Sequence, residues 1–210
     1  MARTRAQDYD EKRGAILTGA ARLFAERGYA GASVKMIADA CGISKALLYH
    51  YYPDKEAVLF DILDAHLRGL VQAVEEAADV PEGDPRARLE LLCAALLEEY
   101  RDADAEHQVQ LVALRLLPAE RQEHLKALER RLVDIFSGAI ADLIPQARED
   151  RGLLRPLTMS LFGMLNWHYL WFREGRGMSR RDYAGLVSDL IAEGGTLRAR
   201  RRNEPEPPRI

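Results

Sequence analysis

The chain has 210 residues, of which 48% are hydrophobic and 30% charged, so it is long enough for one large or two small packed domains. Its two cysteines, Cys41 and Cys93, lie within apolar helical patterns and fit buried thiols in a reducing compartment better than a disulfide framework. The net charge of −3 argues weakly against binding to nucleic acid, but the charge is unevenly distributed along the chain. Residues 1–55 hold nine Lys or Arg and six Asp or Glu, a net charge of +3, which leaves a net charge of −6 for residues 56–210.

The N-terminal residues lead into the first predicted helix. Residues 1–9 lack the apolar segment of a signal peptide, and we therefore expect a cytoplasmic protein. Arg3 and Arg5 belong to a mobile arm, which either reaches a neighbouring phosphate or stays solvated. From Asp10 to Arg27 apolar residues recur at helical spacing, and Gly28 is expected to end this helix.

The next segment has the pattern of two short helices joined by a tight turn. Ser33 can cap a helix whose apolar residues, within 34–41, recur at helical spacing. Gly42 lies where a helix must end with a positive φ, and Ser44 can cap a second helix that continues to about Tyr51. Two helices on a glycine turn form a helix-turn-helix.

The exposed positions of this segment carry hydrogen-bond donors. Hydroxyl, ammonium and imidazole groups can donate to phosphate oxygens, and Lys45 and His50 can also reach base edges in a major groove. Pro53 ends the second helix and Asp54 can cap the next one. An αα-hairpin of a bundle with a solvated outer face is the alternative, but the clustered donors favour DNA. The predicted DNA contacts are Ser33, Lys35, Ser44, Lys45, Tyr49, His50, Tyr51 and Lys55.

Residues 10–62 contain a series of motifs in a fixed order. R-L-F and G-Y precede the hairpin, I-A and G-I-S-K lie within it, and L-Y-H-Y-Y-P-D-K-E closes it. Together they resemble the DNA-binding end of the TetR-type (TetR/AcrR) transcriptional regulators. Ser33 and Ala46 depart from the Thr and Gly that are commoner there, and neither change alters the set of donors.

The residues beyond Pro53 have helical patterns throughout. Apolar residues predict one long helix over 54–79, and the Pro- and Gly-bearing residues 80–85 predict a loop. Residues 156–172 contain no Asp, Glu, Lys or Arg, but they are too few for a membrane span, and a buried or interface helix is expected. Further helices are predicted near 85–101, 105–116, 118–145, 156–173 and 179–193.

The family resemblance implies an all-α fold of about nine helices. Its N-terminal three-helix domain would carry the helix-turn-helix, and its C-terminal helical domain would bind a ligand and pair with a second copy. We place the DNA-binding domain at residues 1–55 and the ligand-binding and dimerisation domain at 56–197. Residues 198–210, which are basic and Pro-rich, are predicted to form a disordered tail.

The sequence predicts neither an enzyme nor a metal site. It lacks G-x-x-x-x-G-K, H-E-x-x-H and G-x-S-x-G, and its five histidines lack metal-ligand spacing. The pairs Glu106-His107 and Glu123-His124 are interpreted as parts of solvated helix faces. We therefore expect no catalysis and no cofactor other than an effector ligand.

Two segments predict a homodimer. Residues 156–173 leave no broad polar face, and residues 183–191 place Tyr183, Leu186 and Leu190 at helical spacing, so both helices must be buried. The family resemblance implies that the last two helices of each copy form an isologous four-helix interface. Paired copies of one motif would then recognise an inverted-repeat operator. Burial of both helices within one chain's own core remains the alternative.

The segment L-F-G-M-L-N-W-H-Y-L-W-F-R-E-G-R-G-M-S-R-R-D-Y, at 161–183, predicts an effector. It resembles the corresponding segment of TetR-type regulators that sense acyl-CoA esters in fatty-acid, phenylacetate or steroid catabolism. An acyl-CoA needs an apolar tunnel and cations for its phosphates, and arginines within 121–131 are candidate cations. A ligand beside the helix 54–79 would make DNA binding and ligand binding mutually exclusive. The candidate lining residues are Tyr100, Arg115, Phe136, Phe162, Asn166 and Trp167.

Other functions remain open from the sequence. The same apolar walls suit a hydrophobic drug or a free fatty acid, which would need no arginine. The aromatic side chains of 162–172 also suit a plain dimer core with a solvated arginine face. An architectural DNA-binding protein without a small ligand could fill its C-terminal half solidly.

Overall fold

The structure is a computed structural model that describes residues 2–79 and 83–203, and these residues contain no strand. A 3-10 helix, Leu114–Leu116, follows the sixth α-helix. Nine of the α-helices in the described ranges have seven or more residues, which confirms the all-α fold of about nine helices. The helices are α1 (Ala2–Gly31), α2 (Val34–Ala40), α3 (Lys45–Tyr51), α4 (Lys55–Ala78), α5 (Pro85–Glu99), α6 (Asp104–Ala113), α7 (Ala119–Leu143), α8 (Pro145–Glu149), α9 (Arg151–Asn166), α10 (His168–Trp171) and α11 (Arg180–Asn203).

Helix α1 is amphipathic and ends its regular part at Gly28. Ile16, Ala20 and Phe24 recur on one face and are almost completely buried. Gly28 has φ 70° and ψ 158°, which only glycine adopts readily, so the helix is interrupted where the sequence predicted. The helix begins at Ala2 and not at Asp10, so the backbone of residues 2–9 is helical instead of forming the predicted mobile arm.

The first compact unit comprises Met1–Gly69 and Asp102–Leu128. Within it α1 packs against α6 and α2, and α2 packs against α3. The carboxylate of Asp61 on α4 accepts hydrogen bonds from Nη2 of Arg13 at 2.6 Å and from the hydroxyl of Tyr52 at 2.8 Å. These bonds fix the start of α4 against α1 and the end of α3. This unit is larger than residues 1–55, and the assignment of DNA binding to that range remains a prediction.

The second compact unit comprises Leu70–Arg101 and Glu129–Ile210. Helix α11 packs on α5, α8 and α9. Leu92 and Cys93 of α5 are fully buried there, and Ser188 of α11 lies 3.8 Å from the Cys93 sulfur. Burial raises the pKa of the Cys93 thiol to about 12, so this thiol is inert, as expected. Cys41, in the first unit, is only half-buried, and burial raises its pKa as well.

Two segment boundaries differ from the sequence predictions. Helix α9 begins at Arg151 and contains Pro156, whereas the sequence placed a loop over 147–154 and a helix start at Pro156. A proline in the second turn removes a single helical hydrogen bond, and the helix continues. Helix α11 extends to Asn203, with Ala199 only 3% exposed, so residues 198–203 are helical and not part of a disordered tail. Residues 204–210 of the predicted tail lie outside the described residues.

Candidate nucleic-acid interface and effector region

Helices α2 and α3 form the predicted helix-turn-helix. The Ser33 hydroxyl accepts a hydrogen bond from the amide of Met36 at 3.2 Å, and the Ser44 hydroxyl accepts one from the amide of Leu47 at 3.1 Å. Gly42 has φ 64° in the turn between the helices. Both predicted caps are therefore confirmed, and each short helix begins with an amide that is satisfied locally.

Helix α3 presents a row of donors to solvent. Ser44, Lys45, Tyr49 and His50 are exposed, whereas Leu48 on the opposite face is 1% exposed. The Lys45 ammonium lies 5.5 Å from the centre of the Tyr49 ring, one turn further along, so the two groups share a face. The helix contains no Asp or Glu. This face can therefore donate to phosphates and base edges without repelling them.

The remaining candidate contacts lie at the two ends of the hairpin. Ser33 and Lys35 are exposed at the start of α2. Tyr51, the last residue of α3, is half-buried, and its ring stacks on that of Tyr9 with centres 4.7 Å apart and planes at 26°. His50 meets the Tyr51 ring edge-on at 5.7 Å. The sequence analysis missed Tyr9, because it assigned residues 1–9 to a mobile arm.

Lys55 has an environment unlike that of Lys45. Its ammonium donates to the carbonyl oxygens of Tyr29 at 3.0 Å and Ala32 at 3.1 Å, and it lies 4.4 Å from the centre of the Tyr29 ring. These contacts hold the start of α4 against the end of α1. The structure thus gives Lys55 an internal role that the sequence did not indicate, and its contact with DNA remains a prediction.

Four of the six candidate effector residues lie together in the second unit. The hydroxyl of Tyr100 donates to Oδ1 of Asn166 at 2.9 Å, and the rings of Phe136 and Phe162 meet edge-on at 5.2 Å. Phe162 and Asn166 are one turn apart on α9, so the aromatic pair and the polar pair adjoin the same face of that helix. Tyr100 and Phe136 are buried. We refer to these residues as the α9 cluster.

The other two candidates are placed differently. Trp167 is 55% exposed, and its ring stacks on Tyr169 with centres 6.5 Å apart. It therefore lies on the surface and does not line the α9 cluster. Arg115 is exposed in the 3-10 helix of the first unit.

Two of the α7 arginines that were candidate phosphate partners, Arg121 and Arg131, form ion pairs. Nη1 of Arg121 lies 3.1 Å from Oε1 of Glu56, and its guanidinium lies 5.0 Å from the centre of the Phe60 ring. Nε of Arg131 lies 2.7 Å from Oε1 of Glu75. A phosphate that approached either guanidinium would compete with a carboxylate that is already bound.

A buried histidine contact lies within the first unit. His107 is 1% exposed, and its ring centre lies 5.9 Å from that of His66. Burial, with a smaller contribution from His107, lowers the pKa of His66 to about 3, so this imidazole is neutral near pH 7. The interpretation of Glu106-His107 as a solvated pair is therefore wrong for His107. One signal for this buried contact was available in the sequence: His66 lies one turn after Ile62, on the apolar face of α4.

His124 contacts a carboxylate of α4. Its Nε2 lies 2.6 Å from Oδ1 of Asp64, whose other oxygen accepts a hydrogen bond from Arg68 at 2.8 Å. Burial would raise the pKa of the Asp64 carboxyl, but the hydrogen bonds from Arg68 and His124 outweigh it and lower that pKa. The imidazole is partly exposed, and it joins α7 to α4 within the first unit.

Two family models match the chain. The model for bacterial regulatory proteins of the tetR family matches residues 16–62, and the model for the tetracyclin repressor-like C-terminal domain matches residues 82–195. The chain belongs to the TetR family. The sequence resemblance, drawn from the motifs of residues 10–62, is thereby confirmed.

Known TetR-family proteins match this chain over most of its length. The HTH-type transcriptional repressor KstR2 of Rhodococcus jostii (strain RHA1) is 34% identical over 191 residues, which are 86% of this chain and 91% of KstR2. A TetR-family transcriptional regulator from Bordetella parapertussis 12822 has a TM-score of 0.80 and 34% identity over 85% of this chain and 93% of its own. AibR, crystallised with isovaleryl coenzyme A and operator DNA, has a TM-score of 0.70 and 28% identity over 86% of this chain and 98% of its own.

The family assignment also decides the general class of function. This TetR-family chain is a transcriptional regulator and not an enzyme, because the relatives that match it over most of its length are regulators. Among the residues that the structure describes, no helix combines the length and the apolar character needed to cross a membrane.

Proposed function

We propose that this protein is a cytoplasmic, ligand-responsive repressor that binds an inverted-repeat operator as a homodimer and is released by an acyl-CoA thioester. The exposed donor face of α3 carries the proposal, because Lys45, Tyr49 and His50 face solvent on a helix without a carboxylate. The similarity to KstR2, which is described as a transcriptional repressor, supports repression.

Operator recognition is assigned to the helix-turn-helix. Helix α3 enters the major groove in this proposal, where Lys45 and His50 donate to base edges or phosphates. Lys55 contributes by holding the start of α4 in place from within the unit. The proposed direct contacts are Ser33, Lys35, Ser44, Lys45, Tyr49, His50, Tyr51 and Lys55.

Dimerisation is assigned to α9 and α11. Leu186, Leu190 and Leu197 of α11 are 40%, 54% and 52% exposed, and Met159 of α9 is 43% exposed. The three leucines are spaced by one and two turns, so they form a stripe along one side of α11. A stripe of this kind favours burial against an apolar surface, and a second copy supplies the same stripe by symmetry. The two hairpins of such a dimer would be related by a twofold axis, which an inverted repeat matches.

Effector binding is assigned to the α9 cluster. Phe136 and Phe162 provide an apolar wall, and the hydrogen-bonded pair of Tyr100 and Asn166 provides a few polar groups beside it. Apolar walls with a small number of fixed polar groups are typical of small-molecule sites. The similarity to AibR, whose crystal structure contains isovaleryl coenzyme A and operator DNA, supports an acyl-CoA thioester.

A hydrophobic drug or a free fatty acid is the second candidate effector. The observation that favours it is the pairing of Arg121 with Glu56 and of Arg131 with Glu75, because a ligand without phosphates would leave both ion pairs intact. Either effector must bind one conformational state more tightly than the other by several kcal/mol, about 5.5 kcal/mol for an almost complete shift of population.

The testing experiment titrates the operator complex with candidate effectors. An operator is first selected from random duplex DNA with the full-length protein, and its complex is followed by fluorescence anisotropy. Acyl-CoA esters with branched, aromatic and ring-bearing acyl groups are added, alongside the matching free acids and coenzyme A alone. Release by thioesters alone supports the proposal, and release by free acids alone supports the second candidate. A complex unaffected by all of them would favour an architectural protein.

A further inference from the structure

Helix α3 is short, and its C-terminal end depends on contacts with neighbouring elements, among them the hydrogen bond from Tyr52 to Asp61. It has seven residues, of which Leu48 is buried. A helix of this length is not stable in isolation, so its orientation depends on tertiary contacts. The Ser44 cap satisfies an amide at the N-terminal end, whereas Tyr52 at the other end already has an extended backbone with φ −138°. The bond from Tyr52 holds the backbone at this end, whereas the orientation of the Tyr51 ring depends on the ring's own neighbours.

A cavity of about 250 Å³ lies beside this end of α3. Helix α1 contributes Lys12, Ala15 and Ile16 to its wall, and α3 contributes Leu47 and Tyr51. Side chains that face each other across a cavity make few dispersion contacts with one another. Across the cavity, α3 is therefore not held against α1 by close packing.

Tyr9 makes a direct contact between α1 and the end of α3. It lies on the same face of α1 as Lys12 and Ile16, which are three and seven residues further along. Its ring stacks on that of Tyr51 with centres 4.7 Å apart and planes at 26°. Tyr9 is 42% exposed, so it is not a core residue, and its ring contact is with the last residue of the proposed recognition helix.

We infer that Tyr9 is a positioning residue for operator recognition. It holds the ring of Tyr51, and through that ring the C-terminal end of α3, in the orientation that contacts DNA. His50, which meets the Tyr51 ring edge-on at 5.7 Å, is held by the same row of rings. This inference rests on the proposed function, because it assigns to Tyr9 an effect on the DNA-binding face of α3.

A double-substitution cycle on Tyr9 and Tyr51 tests the inference, with operator affinity as the readout. Tyr9→Ala should weaken operator binding about three- to tenfold, as expected for the loss of one aromatic stack. Tyr9→Phe keeps the ring and should bind like the unaltered protein. In a Tyr51→Ala background, Tyr9→Ala should have no further effect. The dependence of affinity on salt should be unchanged by Tyr9→Ala, because no phosphate-neutralising charge is removed.

Three results would overturn the inference. Unaltered affinity in Tyr9→Ala would show that the stack does not position α3. An equal loss in the Tyr51→Ala background, or a loss in Tyr9→Phe as large as in Tyr9→Ala, would show that Tyr9 acts independently of Tyr51. The helical content and thermal midpoint of every variant are measured, and Tyr9→Leu, which keeps apolar bulk without an aromatic ring, replaces Tyr9→Ala if the latter is unfolded.

Failure of the inference can be separated from failure of the proposed function. If Lys45→Ala/Tyr49→Ala leaves operator binding unchanged, α3 is not the DNA-binding face and both fail. If that variant loses operator binding while Tyr9→Ala does not, the inference alone is wrong.

Discussion

Helices α3 and α11 both expose side chains along one face, but those side chains differ in chemistry. Helix α3 exposes Lys45, Tyr49 and His50, and α11 exposes Leu186 and Leu190. On a helix without carboxylates, donors bind phosphates favourably, and the release of counterions from the DNA adds to the free energy of binding. Exposed leucines stabilise a complex only when another apolar surface removes them from water. The free energy gained is about 25 cal/mol per Å² of apolar surface buried. The two faces therefore favour different partners, which in the proposed function are nucleic acid for α3 and a second copy of the chain for α11.

Negative charges on the exposed face of α11 should have the largest effect on operator binding. Leu186→Glu/Leu190→Glu would place carboxylates in the proposed interface, and we expect monomers at micromolar concentration. Operator affinity should fall by about 100-fold or more, because one hairpin no longer assists the other. Sedimentation equilibrium and fluorescence anisotropy measure the two effects.

A matched variant on α6 controls for surface charge. Leu111 and Val112 are 42% and 53% exposed, close to the 40% and 54% of Leu186 and Leu190. Leu111→Glu/Val112→Glu should therefore remain dimeric. A dimeric α11 variant would contradict the assigned interface, and a monomeric α6 variant would move it to a different surface.

The second prediction compares how Lys55 and Lys45 contribute to the free energy of unfolding. Lys55→Met keeps the apolar stem but removes the ammonium that donates to the carbonyls of Tyr29 and Ala32. The free energy of unfolding should fall by about 1.5–3 kcal/mol, which is typical of a hydrogen bond to a charged group. Lys45→Met, on the exposed face of α3, should change it by less than about 0.5 kcal/mol. Urea denaturation measures both, and equal stabilities would refute the internal role of Lys55.

Lys45→Ala tests whether the exposed face of α3 binds DNA. We expect operator affinity to fall about tenfold, and the slope of log K against log salt to flatten by about two in a dimer, one phosphate for each copy. Lys126→Ala removes the same charge from an exposed position of α7, and it should leave both quantities unchanged. Anisotropy titrations over a range of salt concentrations provide the measurement.

The smallest predicted effect concerns acid stability in the second unit. His168 is 3% exposed, with its ring stacked on Phe172 at 4.2 Å. Burial, and then the nearby Arg180, lower its pKa to about 4. The unfolded chain takes up this proton near pH 6.5, so stability is complete above that pH and declines as the pH falls towards 4.

His168→Phe should therefore reduce this acid sensitivity. The phenyl ring can keep the stacked contact but cannot take up a proton. We expect a smaller decrease in thermal midpoint between pH 7 and pH 5 than in the unaltered protein. His50→Phe, on the exposed face of α3, should keep the original pH dependence. Identical profiles for the unaltered protein and His168→Phe would contradict the role assigned to His168.

Local signals in the sequence were sufficient for much of the fold. The hydroxyls of Ser33 and Ser44 and the carboxylate of Asp54 cap α2, α3 and α4 as predicted, because a cap needs only residues within the next three positions. The end of the first helix at Gly28 was predictable for the same reason. The exposed donors of α3 followed from helical spacing alone.

Contacts between distant residues account for what the sequence did not predict. Nothing near Lys55 in the sequence indicates that the carbonyls of Tyr29 and Ala32 will accept its hydrogen bonds. Trp167 was a candidate because aromatic residues are frequent in this segment, but it lies at the C-terminal cap of α9, where its side chain faces solvent. For the candidate effector site, the sequence therefore indicated the kinds of residue in the α9 cluster, but it could not show which of the candidates lie together.

The contact between Lys55 and the end of α1 restricts which residue types are tolerated at positions 28 and 55. The backbone at Gly28 has a conformation that a side chain disfavours, and two carbonyls just beyond it accept from a single ammonium. Arginine at position 55 would offer a wider, planar group and is not an equivalent replacement. In a library randomised at both positions and selected for folding, glycine at 28 and lysine at 55 should therefore both be enriched, although they are far apart in the chain.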